Sequence, residues 1–184
     1  MDAIEVTTML LAQPRRALTG ISLPDVSGVY AWWFAGASKG GGTLQFQEAC
    51  PLYVGLARNL AAREMKQHLS DTGTSSSTLR RSLGALFKDE WQLVVYPRGR
   101  GAARRDFSHY RFDEAGEKRL TQWMRENLSV SILPLDHPGR YEGYLIRALS
   151  PRLNLTGYQN PYGALIRAAR RSCAEEARAR GREE

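Results

Sequence analysis

The sequence predicts a single α+β domain in which a small, mainly antiparallel β-sheet is flanked by helices. Three observations carry that reading. Short apolar runs rich in β-branched and aromatic residues recur as VYAWWF (29–34), PLYVG (51–55), WQLVVYP (91–97) and SVSILPL (129–135). Stretches with helical apolar spacing separate or follow them, so strands and helices are interspersed. No internal repeat, heptad pattern or linker-bounded second unit interrupts the 184 residues, and 42% hydrophobic content is sufficient for one core.

Taken in order, the first twenty residues read as a loose helix or arm ending near Gly20, and Pro24 with Ser27-Gly28 punctuates the entry to the first strand. The glycine-dense GASKGGGT (36–43) reads as a hairpin loop to the second strand; it lacks the GK[ST] ending of a phosphate-binding P-loop. A helix is expected from about Ala57 to Leu69, followed by the polar loop DTGTSSS. Ser77 or Thr78 then caps a helix through LRRSLGALF (79–87). WQLVVYP is expected as a third strand, and the Arg- and Gly-rich PRGRGAARRD (97–106) as a surface loop serving solubility or phosphate contact. DEAGEKRLTQWMREN (113–127) is a helix with Leu120, Trp123, Met124 and Leu128 along its core side. A short strand in SVSILPL follows, then a helix RYEGYLIRALS stopped by Pro151, a loop, and a terminal basic helix (164–184).

The balance of 26 Lys plus Arg against 19 Asp plus Glu gives +7, which points to a polyanionic partner, nucleic acid ahead of acidic protein or membrane. The N-terminal stretch MDAIEVTTMLLAQPRR is too short to span a bilayer and is acidic where an export signal is basic, so a cytoplasmic location is expected. The two cysteines, Cys50 and Cys173, lie far apart without metal-type spacing, so neither a disulfide framework nor a thiolate zinc site is indicated.

Some polar residues break local expectation. Glu142 stands three, four and seven residues before Leu145, Ile146 and Leu149, on the apolar face of its helix. A carboxylate turned toward a core needs an internal cation partner, a raised pKa or a bound metal ion. Strand alternation places Tyr30 with Gly28 and Trp32 on one face, and Tyr53 with Gly55 on one face, so adjacent pairing would bring both hydroxyls to one side. A glycine beside each tyrosine leaves a recess in which the backbone of another molecule could approach.

SGVYAWWF followed by PLYVGLARNLAAR resembles the GIY-YIG nuclease family, whose two name-giving tripeptides lie on the first two strands. The likeness continues through Asn59-Leu60 to Arg63, ten residues after Tyr53, and on to EGYLIRALSPRLN with Glu142 and Asn154. The resemblance covers roughly Gly28 to Asn154, leaving an N-terminal arm (1–27) and a basic C-terminal helix (155–184) around a 28–154 core. It implies a metal-dependent phosphodiesterase acting on DNA, duplex, branched or single-stranded, in restriction and defence or in repair and processing. Single-step displacement, as the family implies, gives 5′-phosphate and 3′-hydroxyl ends. Glu142 is implied as the ligand of Mg²⁺, with Mn²⁺ a possible substitute, Arg63 as the grip on the scissile phosphate, and Tyr30 as the group that receives or relays the proton of the attacking water. Tyr53 would orient water or phosphate, and Asn154 would brace the site. An RNA-directed nuclease, or a binding module that kept the fold without turnover, are the alternatives; a protein partner or homodimer is possible.

One position departs from the family pattern. The family commonly carries a His or Tyr four residues after the arginine, where this chain has Gln67, with His68 one residue later. In an ideal helix Gln67 lies about 40° and His68 about 140° from Arg63, so His68 belongs to the apolar side unless a π-bulge intervenes between Arg63 and His68. The expectation is that His68 reaches the site. Arg58, Lys66, Arg80, Arg81, Arg104 and Arg105 are candidate nucleic-acid contacts, Arg80 and Arg81 because basic residues at a helix start oppose its dipole. Trp32 and Trp33 read as core and interface, His109 and His137 as solvent-exposed, and the arginines of the terminal helix as either paired with Glu175 and Glu176 or DNA-facing.

Overall fold

The computed structural model describes residues 1–36, 46, 50–63, 68–99 and 103–182. Its main sheet has the order β1–β6–β2–β3, antiparallel throughout. β2 (Gly28–Phe34) lies between β6 (Leu128–Pro134) and β3 (Pro51–Ala57), and β1 (Arg16–Ala17) adds a short edge. Every residue of β2 is buried, because both faces of the sheet are covered.

Alternation along β2 divides the core in two. Tyr30, Trp32 and Phe34 face a layer built by α3 (Thr78–Trp91), α5 (Glu114–Asn127) and α7 (Gly163–Arg180), with Leu83, Phe87, Leu120, Met124 and Ile166 among its buried residues. Val29, Ala31 and Trp33 face α1 (Ala3–Ala12) and α6 (Glu142–Leu149), through Val6, Leu10, Leu145 and Ile146. Both tryptophans are therefore core residues; Trp33 also donates its indole N–H to Ser131 Oγ at 2.8 Å. α1 is opened by an Asp2–Glu5 capping box, and α3 by Ser77, whose hydroxyl accepts the Arg80 N–H. A short helix α2 (Leu60–Arg63) follows β3 directly.

The expected third strand is reduced to β4 (Val95–Tyr96), which pairs with β5 (Arg111–Phe112) outside the main sheet. The reason is local. α3 uses the run as far as Trp91, Gln92 closes it in a left-handed conformation (φ 52°), and the Val95 N–H is taken by Glu176 of α7. Between β4 and β5 a short helix α4 (Arg104–Ser108) carries part of the Arg-rich segment. Most of the Gly-rich segment and the centre of PRGRGAARRD lie outside the described residues. No helix among the described residues is long and apolar enough to cross a membrane.

Candidate active site

The site is assembled where β2, β3 and the segment after α2 meet. Tyr30 and Tyr53 project from adjacent strands onto the same face, their ring centroids 6.4 Å apart. In the register Tyr30 is paired with Gly55, and the Tyr30 side chain lies across that glycine. The recess expected beside Gly55 is thus filled by the protein's own phenol ring, and the space at Gly28 by Leu60 and the backbone of β6. Neither glycine leaves room for an incoming molecule.

Arg63 is the last residue of α2, a turn whose start is fixed by Asn59. Asn59 Oδ1 accepts the Ala62 N–H at 2.8 Å, its amide is held by Asp25, and its carbonyl accepts the Arg63 N–H at 3.0 Å. From there Arg63 Nε donates to the Tyr30 hydroxyl oxygen at 3.2 Å. His68 joins the same hydroxyl: its Nε2 lies 3.2 Å from Tyr30 Oη, and the imidazole, fully buried, is wedged edge-on against Tyr30, Trp32 and Tyr53. His68 is itself in π-helical conformation, whereas residues 64–67, including Lys66 and Gln67 and the span of any bulge, lie outside the described residues. Burial, and then the guanidinium charges of Arg63 and Arg80, hold the His68 pKa well below the usual imidazole value, so the ring is neutral at neutral pH.

Glu142 opens α6, half-buried, within electrostatic reach of Arg63. Burial raises its pKa, and Arg63 only partly opposes that rise. Asn154 is buried against the outer edge of β3, where its amide accepts the Val54 N–H at 2.9 Å and donates to the Val54 carbonyl at 2.8 Å. Tyr30, Tyr53, Arg63 and His68 are therefore brought together, Glu142 approaches through Arg63, and Asn154 reaches the assembly through the β3 backbone.

The structure corrects two of the candidate nucleic-acid contacts. Arg80 is fully buried in an ion pair with Glu117 at 2.6 Å, and it also donates to the His68 carbonyl (3.0 Å), Thr121 Oγ1 (2.9 Å) and Thr74 Oγ1 (3.2 Å). It points inward because it shares the core face of α3 with Leu83 and Phe87. Arg81 is buried as well, donating to the Thr74 and Ser75 carbonyls, and burial followed by the nearby Arg170 charge pushes its pKa down to about 10. Neither guanidinium is at a surface where DNA could reach it. Arg58, Arg104 and Arg105 are exposed. His109 is half-buried, not solvent-exposed as expected, whereas His137 is exposed.

Two contributors were missed from the sequence. Ser77 is legible as a helix cap, but not its contact with His68 Nδ1 at 2.6 Å. Glu117 was legible: it stands three and seven residues before Leu120 and Met124, the same apolar-face placement that singles out Glu142.

A model of the GIY-YIG catalytic domain matches residues 28–173 of the chain. The chain belongs to the GIY-YIG family. The match extends beyond Asn154 into α7, which packs on α3 and adds Ile166 and Cys173 to the core layer that holds Tyr30. No curated protein and no solved structure matches the chain. A nuclease-type function follows from the family, whose members generally depend on a divalent metal. The donor set fits such an ion. Glu142 would be the residue to hold it, since its half-buried carboxylate is the kind of oxygen donor that a hard, largely hydrated cation accepts; no group of three or more His, Cys, Asp or Glu gathers among the described residues.

Proposed function

We propose that the protein is a DNA endonuclease dependent on a divalent cation, Mg²⁺ with Mn²⁺ as a substitute, leaving 5′-phosphate and 3′-hydroxyl ends. The observation that supports this reading best is the run of contacts from Arg63 Nε to the Tyr30 hydroxyl to His68 Nε2, with Glu142 within electrostatic reach of Arg63. An ordinary phenol loses its proton near pH ~10, so a tyrosine that handles a proton at neutral pH needs partners on its oxygen. Arg63 supplies a cationic donor to that oxygen and His68 a neutral acceptor for its hydrogen. Tyr30 would thus relay a proton, its oxygen taking that of the attacking water as its own hydrogen passes to His68 Nε2, and Arg63 would stabilise the charge growing on the phosphate oxygens. Glu142 would hold the cation, whose charge offsets that of the leaving oxygen. Tyr53 would orient water or phosphate, and Arg58, Arg104 and Arg105 would contact the backbone of the substrate. The high charge and the fold fit cytoplasmic restriction, defence or DNA-processing roles.

The test incubates purified protein with duplex, branched and single-stranded DNA and with RNA, in Mg²⁺ or Mn²⁺, beside Glu142→Gln and Arg63→Ala. Cleavage of DNA by the wild type, lost in both variants while binding persists, is expected. Binding without cleavage of any substrate would overturn the enzymatic reading, and cleavage of RNA alone would reassign the substrate.

A further inference from the structure

The one-residue displacement of His68 leaves its ring in need of an anchor, and the structure contains one. Its Nδ1 lies 2.6 Å from Ser77 Oγ, the shortest polar contact His68 makes. Ser77 is wholly buried, and its oxygen is fixed by accepting the Arg80 backbone N–H at 3.1 Å. Arg80, clamped by Glu117, also holds the His68 carbonyl at 3.0 Å. Backbone and ring of His68 are thus both tied to the first turn of α3.

A neutral imidazole carries one N–H, and which nitrogen bears it decides what the ring can do for Tyr30. Ser77 Oγ has a lone pair left for an Nδ1–H after accepting from Arg80. Arg63 Nε donates to the Tyr30 oxygen, so the 3.2 Å contact of that hydroxyl with Nε2 is best matched by a bare Nε2 that accepts.

We propose that Ser77 is a positioning residue for the site: its hydroxyl oxygen accepts the Nδ1–H of His68 and so presents the Nε2 lone pair to the Tyr30 hydroxyl. This deepens the nuclease reading and rests on it. Ser77 does not touch the substrate; it acts through the tautomer and tilt of a ring that the sequence delivers one residue late. The N-cap of α3 therefore has two duties, closing the helix start and orienting His68.

The two duties separate in Ser77→Gly, since glycine is an acceptable N-cap but has no hydroxyl. The chain has three histidines, so long-range ¹H–¹⁵N spectra of the labelled protein, assigned with His68→Gln, read the His68 tautomer directly. The wild type is expected to show the Nδ1–H form alone, Ser77→Thr to retain it, and Ser77→Gly to lose it. On DNA, Ser77→Gly should lower kcat roughly tenfold, as the loss of one hydrogen bond allows, with Kd for the DNA unchanged. In a His68→Ala background the same substitution should add no further loss. An unchanged tautomer in Ser77→Gly, or equal losses with and without His68, would overturn the positioning role while leaving the nuclease reading intact. A wild type that cleaves nothing would overturn both the nuclease reading and the catalytic part of this one, whereas the tautomer spectrum would still report whether Ser77 holds the ring.

Discussion

A β-carbon at position 55 would stand 2.5 Å from the Tyr30 hydroxyl oxygen and 2.7 Å from its Cζ, so the glycine of β3 exists to admit the tyrosine of β2. Gly55→Ala should therefore displace the Tyr30 ring rather than tune it. The expected outcome is a loss of about 1–3 kcal/mol in stability from overpacking, measured by urea denaturation, together with loss of DNA cleavage. Because Cζ collides as well as the hydroxyl, adding Tyr30→Phe should not restore stability; recovery in the double variant would show that only the oxygen is crowded.

His68 should make the protein sensitive to mild acid. Its folded pKa lies well below 6.5 through burial, Arg63 and Arg80, whereas the unfolded chain carries an ordinary imidazole. The unfolded state thus binds a proton first as pH falls. Stability from this residue is complete above about pH 6.5 and declines below it, at up to about 1.4 kcal/mol per pH unit until the folded pKa is reached. Denaturation curves between pH 7 and 5 should show this slope in the wild type and a shallower one in His68→Gln. Equal slopes would mean that the buried ring is not the group responsible.

The Arg80–Glu117 pair is expected to be structural. Glu117→Ala leaves a buried guanidinium without its counter-ion and also strips the Thr74 hydroxyl and the Phe112 N–H of an acceptor. A loss of about 3–5 kcal/mol, read from chemical denaturation, follows from breaking such a pair. The salt dependence of DNA binding, measured below the unfolding transition, should not change.

Arg58 should behave in the opposite way. It is exposed on the turn between β3 and α2, five residues before Arg63, and lines the same surface cleft of about 300 Å³ with Ala62 and Arg63. Arg58→Ala should leave stability unchanged and reduce the slope of log K against log salt by about 1, the signature of one lost phosphate contact. An unchanged slope would remove Arg58 from the DNA-binding surface.

Much of this arrangement was readable from residue patterns. The alternation in GVYAWWF and PLYVGLA gives both strands and the shared face of Tyr30 and Tyr53, and helical spacing gives α3, α5, α6 and α7. The failures arose where one residue answered to two influences. Arg80 has core spacing with Leu83 and Phe87, but its charge was weighted over its position, and the partner that makes burial tolerable, Glu117, lies on another helix. WQLVVYP has strand propensity throughout, yet a helix C-terminus and a side chain from α7 claim most of it. The contact between Ser77 and His68 depends on backbone geometry that ideal helical spacing does not contain.

β3 is the outermost strand of the main sheet beyond β2, and a bare strand of that kind invites a second molecule to add itself alongside. Here the Asn154 amide satisfies both the N–H and the carbonyl of Val54, while the Leu153 and Arg152 N–H groups take the Leu52 and Pro51 carbonyls. Four side-chain and main-chain contacts from three consecutive residues thus stand in for a missing neighbour strand. The residue proposed to brace the site also seals the rim of the sheet, so replacing this one asparagine would bare the Val54 N–H and carbonyl at the β3 edge.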